Sequence, residues 1–243
     1  MGIRNLICIR INKKCYDRTY SSTRLLQADL QSRVVAQYSQ WGGHFEVQGL
    51  KIFKFLQGTD VARLREGLTN TYEPDEEEFK QITKAVEDEE KRLRDEDERL
   101  GRFQSYILEN SPWDSMYPSL SRDAGAKILQ LIADSDAEHK VPIQLDLEFA
   151  NKGIHCEWAY VIDFDEETLA VFENAIMKCF EDESNPFLEV GPDDASIPKL
   201  AVTFDLSRIE DMTEAGFLEE VRAAVMSESI ISDYPSPFHT DDF

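Results

Sequence analysis

The sequence predicts an α+β fold: a mostly antiparallel sheet with helices packed on it and one long charged helix. Three observations carry this. Short β-branched and apolar runs, notably WAYVIDF and TLAVFEN around Asp165-Glu166-Glu167, have the spacing of a local hairpin. Apolar residues three and four apart recur in blocks of helix length, as in Phe217, Leu218, Val221, Ala224 and Val225. Strands pair locally and helices arrive in groups, without the regular alternation that builds a parallel sheet.

Taken in order, Asn5 to Ile11 reads as a first strand and Arg33 to Gln40 as a second. The basic stretch from Asn12 to Ser32 has no clear periodicity and reads as a long loop or insertion between them. Trp41-Gly42-Gly43 breaks the second strand, and Glu46 to Leu56 carries a broad helical face despite Gly49. Thr59-Asp60 offers a cap for a short helix containing Val61, Leu64 and Leu68.

From about residue 77 to 107 the chain reads as the long charged helix. Phe79, Val86, Leu93, Leu100 and Ile107 recur at seven residues, a thin seam that predicts one stripe laid on the body, flanked by solvated pairs such as Asp88 with Arg92. Ser121 or Asp123 caps a helix bearing Ala124, Ile128, Leu131 and Ile132, and Ile143 to Phe149 reads as extended chain ahead of the hairpin. Lys199 to Leu206 is a last strand, Thr213 caps the final helix, and the Pro-broken tail from about 231 to 243 reads as loose. With 243 residues, one domain spanning 1–243 is the expectation.

Composition narrows the function classes. Four cysteines, Cys8, Cys15, Cys156 and Cys179, are spread with no CxxC pair, which predicts reduced thiols and a cytoplasmic protein. No apolar run is long enough to span a membrane. The charge of −22 is polarised: residues 1–72 hold 11 Lys and Arg against 5 Asp and Glu, a net of +6, and the remainder 15 against 43, a net of −28. Bulk acidity disfavours nucleic acid and anionic membranes and suits a basic protein partner, whereas the basic N-terminal segment offers an anionic ligand or RNA a local foothold.

No P-loop, dinucleotide fingerprint, nucleophile elbow or zinc-protease helix is present, so neither a cofactor nor a metal is expected. Paired carboxylates such as Asp163 and Asp165 arise by chance in so acidic a chain. His155-Cys156-Glu157-Trp158 is the most varied cluster, with Cys156 and Glu157 as catalytic candidates. Strand alternation predicts that Cys156 and Trp158 share a face, and core packing is the simpler reading of both. Tyr38, Gln40, Trp41 and Glu46 surround the Gly-Gly break as ligand-binding candidates, against the simpler reading of a turn whose side chains bond their own backbone, and Arg4 is a further ligand-binding candidate.

The blocks MGIRNLICI, VAQYSQWGGHFEVQGLKIFKFL, YPSLSRDAGAKIL and CEWAYVIDFDEETLAVFE resemble a large family of uncharacterised proteins numerous in filamentous fungi. Its members open Met-Gly-Thr-Arg and continue Gln-Tyr-Gly-Gln-Trp-Asp-Gly-Tyr-Pro-Glu-Gly-Gln-Gly. Gly2, Arg4, Gln37, Tyr38, Gln40, Trp41, Gly43, Glu46, Gln48, Gly49, Cys156, Glu157 and Trp158 match. Gly42 stands where the pattern has Asp, His44-Phe45 where it has Tyr-Pro, and Ser39 and Val47 where it has Gly, and the segment 12–32 replaces a short hairpin. If the family's polar turn builds a site, loss of its carboxylate makes this chain a poor candidate for that activity.

Three functions follow as expectations. The first is a non-catalytic intracellular binding or interaction protein. The second is a small enzyme accessory to fungal metabolism, using the Tyr38–Glu46 turn or the Cys156–Trp158 strand. The third is anion or RNA binding by the basic N-terminal segment.

Overall fold

The structure is a computed structural model, and it describes residues 3–11, 33–58, 60–101, 111–152, 155–177, 185–188, 190 and 196–229. The segment 12–32, the reach from 102 to 110 and the tail from 230 lie outside the described residues, and with them the expectations for a basic loop, for Phe103 and Ile107, and for a loose C-terminus.

Five strands form one mixed, mostly antiparallel sheet in the order β2-β1-β5-β6-β7, and the chain has the predicted α+β class. β1 (Asn5–Ile11) pairs antiparallel with β2 (Arg33–Ser39), and β5 (Trp158–Asp163) pairs antiparallel with β6 (Thr168–Met177). β7 (Ser196–Asp205) completes the antiparallel run. Between the two hairpins β1 and β5 run parallel, with Asn5 opposite Trp158 and Ile9 opposite Ile162. The β5–β6 connection is the predicted hairpin. Asp163 Oδ1 accepts from the amides of Asp165 (2.9 Å) and Glu166 (3.1 Å), and its other oxygen meets Arg10 at 3.3 Å. That carboxylate is thus engaged in folding the turn.

Alternation divides the sheet residues between two cores. Ile7, Ile9, Val35, Tyr160, Ile162, Leu169, Val171 and Phe204 face the helices. Those helices are α1 (Leu50–Leu56), α2 (Val61–Gly67), α5 (Lys127–Ala133), α6 (Leu206–Asp211) and α7 (Glu214–Ser229). They contribute Ile52, Phe53, Leu64, Ile128, Ile132, Ile209, Phe217 and Val221. On the opposite face Leu6, Cys8, Ala36, Ala159, Val161 and Phe172 pack under Phe149, Ala150, Phe187 and Val190. The helix predicted from Glu46 begins as a π-helical turn, Phe45–Gly49, before α1 takes over. Thr213 caps α7 as predicted, its Oγ1 accepting from Gly216 N at 3.1 Å.

Several expectations are corrected. Ile143 to Phe149 is not extended throughout. A two-residue strand β4 (Val141–Pro142) pairs parallel with β3 (Thr71–Tyr72), and Leu147–Asn151 tightens into a 3-10 turn that lays Phe149 on the far face of the sheet. The helix capped by Ser121 or Asp123 starts later, at Lys127, with Ala126 as its N-cap and no side-chain cap bond.

The charged helix α3 runs Glu76–Arg99 and stops there, because Gly101 at φ +65° takes the left-handed conformation that ends helices. Its buried contacts are Ile82, Val86 and Asp97. Phe79 and Leu93 are half-buried, and Leu100 is 48% exposed, so the seam faces the body over only part of its length. Arg92 bonds Glu89 at 2.6 Å and Glu96 at 3.2 Å; the expected pair with Asp88 is not the one formed. A short helix α4 (Pro112–Met116) follows, with Pro112 in its first turn.

Candidate functional site

Of the sequence candidates, Arg4, Tyr38, Gln40, Trp41 and Glu157 lie at one end of the sheet, where β1 and β5 begin and β2 ends. Arg4 precedes β1, and its backbone amide donates to Glu157 Oε1 at 3.4 Å while its guanidinium lies 2.7 Å from His155 Nδ1. An arginine nitrogen has only hydrogens to offer, so His155 Nδ1 is the acceptor in this bond.

Tyr38 lies on the face opposite the helices, its ring set edge-on to Phe149 at 4.6 Å, and its hydroxyl donates to Gln40 Oε1. Two loops run along the outer edge of β2 beside it. Arg122 O accepts from Gln40 N at 2.8 Å, and Ala36 O accepts from Asp146 N at 2.9 Å, which brings Arg122, Asp123 and Asp146 to the same place.

The electrostatics of these groups follow from that placement. Burial raises the Tyr38 hydroxyl above the ordinary tyrosine range; Arg4 and Arg122 oppose that shift and Asp123 and Asp146 add to it. Burial likewise pushes up the carboxyls of Asp146, Glu73 and Asp123. Lys152 opposes it for Asp146, a hydrogen bond from the Leu145 backbone opposes it for Glu73, and Asp114 adds to it for Asp123. Oxygen Oδ1 of Asp123 is buried with no hydrogen-bond partner. Carboxyls desolvated beside a phenol are a pattern found at binding and catalytic sites.

The Gly-Gly turn is held firmly. Gly43 N donates to Ile3 O at 2.9 Å, and the buried Tyr160 hydroxyl donates to Gly43 O at 2.6 Å. A Cβ on Gly43 would lie 2.9 Å from Arg4 O, Ile3 O and Asn5 Cβ, so glycine is required by close approach. This frame presents Trp41 at 53% exposure, with Val47 also exposed. Beneath it, Asn5, Gln37 and Ser39 are buried on the helix-covered face, and Asn5 Nδ2 and Oδ1, Gln37 Oε1 and Ser39 Oγ have no hydrogen-bond partner. Gln37 Nε2 does reach Ser121 O, at 3.2 Å.

Glu46 stands apart from the Tyr38 cluster. It is exposed and bonded to Arg222 at 2.5 Å, and that bond lowers its carboxyl below the usual range. Arg222 also lies over the Phe45 ring at 5.8 Å, so the turn is tied to α7.

The catalytic candidates separate as well. Cys156 is 1% exposed in the core of the far face, and burial raises its thiol far above the reactive range. Trp158 is in the helix-side core, against His44 and Phe45. The expectation that the two share a face fails because β5 begins only at Trp158. Cys156 precedes the strand and turns its Sγ back to Trp158 O at 3.6 Å, so period-two alternation does not reach it. Both are core residues. Glu157 remains half-buried beside Arg4.

Arg122, Asp123, Asp146 and Glu73 were not foreseen, since nothing local distinguishes them among 48 acidic and 26 basic side chains. Among the described residues no group of three or more His, Cys, Asp or Glu is placed to hold a metal, and no helix is long and apolar enough to cross a membrane. Compared with protein-family models, with curated proteins and with solved structures, the chain matches none.

Proposed function

We propose that this chain is a non-catalytic binding protein whose recognition surface is the sheet end around Tyr38. One observation carries the reading: main-chain bonds from Gln40 to Arg122 and from Asp146 to Ala36 bring the half-buried Asp123 and Asp146 beside Tyr38, while the Cys156 thiol that would supply a nucleophile is sealed in the core. Trp41, presented on a turn pinned at Gly43, supplies the aromatic contact on which recognition surfaces commonly depend. The wider acidity of the chain supports a partner of opposite charge as a second occupant of the same surface.

A small enzyme is the second reading. Asp146 favours it, because a carboxyl raised by burial beside a phenol has the character of a proton carrier. The spread cysteines, without a CxxC pair, support an intracellular role without selecting between the two.

The test is capture from a total cell extract by immobilised wild type, Arg4→Met and a distant control, Glu98→Gln, with proteins and small molecules both read by mass spectrometry. A species held by wild type and Glu98→Gln, lost from Arg4→Met and recovered chemically unchanged is the expected result. Equal retention by all three overturns the site, and recovery as a transformed product turns the reading to the enzyme.

A further inference from the structure

We infer that the exposed apolar surface at Trp41 is the seat of the chain's own C-terminal segment, residues 230–243, folded back from the end of α7. This goes beyond the binding reading above and stands on other observations.

Three of the five large apolar side chains exposed among the described residues gather here: Trp41 at 53%, Val47 at 44% and Met226 at 59%. Val47 stands against the Trp41 turn, since a Cβ on Gly42 would lie 3.3 Å from Val47 Cγ1. Met226 is brought by α7, which runs antiparallel to α1 and the π-helical turn. Gln57 Nε2 donates to Met212 O at 2.5 Å, Lys54 meets Glu214 at 2.9 Å, Phe53 stacks on Phe217 at 4.7 Å, and Arg222 reaches Glu46 at 2.5 Å. Each step forward along α7 is thus a step back toward residue 41. Met226, one turn beyond Arg222 on the same face, lies on the side of Trp41-Gly42-Gly43, and the helix ends there at Ser229.

The chain that continues from this point has the composition to cover the patch. Its 14 residues, Ile230 to Phe243, include Ile231, Tyr234, Phe238 and Phe243, and Pro235 and Pro237 favour extended backbone at Tyr234 and Ser236. Extended proline-containing segments seat on exposed aromatic side chains, which Trp41 supplies. Charge agrees. The segment holds Asp233, Asp241 and Asp242 with no Lys or Arg, while Arg222 and the exposed Lys51, four residues on from Val47, flank the patch. Its tether gives the segment an effective concentration of about millimolar, whereas a second copy, also at −22, is repelled by the first.

Photo-crosslinking of the full chain tests this, with Phe238→p-benzoylphenylalanine and, separately, Phe243→p-benzoylphenylalanine as the probes. Irradiation should join the segment, within one chain and from at least one of the two positions, to a peptide containing Trp41 to Val47, as mass spectrometry would show. Adding Tyr234→Ser, which leaves every acceptor on the patch in place, should cut the yield severalfold. No cross-link, cross-links only elsewhere on the body, or a yield indifferent to Tyr234→Ser overturns the inference. Product only at twice the chain mass also overturns it and assigns the patch to a second copy. If the cross-link fails while extract capture still depends on Arg4, the tail is discarded and the binding reading stands. If the cross-link forms and capture is indifferent to Arg4, the reverse holds.

Discussion

Asn5 and Ser39 face each other across the β1–β2 ladder, both buried, and neither the Asn5 amide nor the Ser39 hydroxyl finds a side-chain hydrogen bond. Each such group costs about 1–3 kcal/mol of desolvation. The cost falls directly beneath the turn that carries Trp41, at a place where Gly43 leaves no room for rearrangement.

Replacing these groups by apolar ones of similar shape removes the cost. Ser39→Ala and Asn5→Leu should each leave stability unchanged or raise it by about 1 kcal/mol, read from the midpoint of a urea melt. A loss of more than about 1 kcal/mol in both would show that the polar atoms are bonded in solution and that the site is organised differently.

Asp146 makes a pH-dependent prediction whose sign follows from its raised carboxyl. A carboxyl that holds its proton more tightly when folded stabilises the fold below its unfolded value of 3.8, and that contribution disappears as pH rises through the folded value. Asp146→Asn should therefore be more stable than wild type near neutral pH and show no such advantage at about pH 3. Thermal melts at the two pH values decide it, and a variant that is less stable at neutrality refutes the assignment.

The buried thiols predict a labelling pattern. With Cys8 and Cys156 in the core, iodoacetamide at mildly alkaline pH should leave both unmodified in the native protein and alkylate both in denaturant, as peptide mapping would show. Rapid modification of native Cys156 would restore it as a candidate nucleophile.

On α3 the buried contacts, not the heptad positions, should govern stability. Ile82→Ala removes a buried side chain and should cost about 2–5 kcal/mol, whereas Leu100→Ala, on the exposed end, should stay within about 0.5 kcal/mol. Denaturant melts of the two separate the cases. Equal effects would mean that the two ends of the helix are equally engaged.

Legibility in the sequence followed the range of the interactions. The β5–β6 hairpin and the Thr213 cap were readable because each is decided by neighbours a few residues apart. The parallel β1–β5 pairing was not, since β1 and β5 carry no local mark of each other. Ile143 to Phe149 looked extended because Ile143, Leu145 and Leu147 alternate. Yet the amides of Ile143 and Asp146 bond Tyr72 O and Ala36 O, and the chain then coils to place Phe149. At the site, Arg4, Tyr38, Gln40 and Glu157 were suggested by the resemblance and the glycine break, and they do lie together. Their charged neighbours Arg122 and Asp146 come from loops brought in by main-chain hydrogen bonds, which composition does not encode.

The parallel pairing also bears on how the chain is born. β1 ends at Ile11 and its central partner begins at Trp158, so throughout most of translation β1 has β2 on one side and nothing of its own chain on the other. A bare, apolar strand edge of this kind invites pairing with other chains. The protein should therefore depend on holding chaperones while on the ribosome, and the sheet should close only when the β5–β6 hairpin emerges and docks, a late step of high sequence separation that sets the pace of folding.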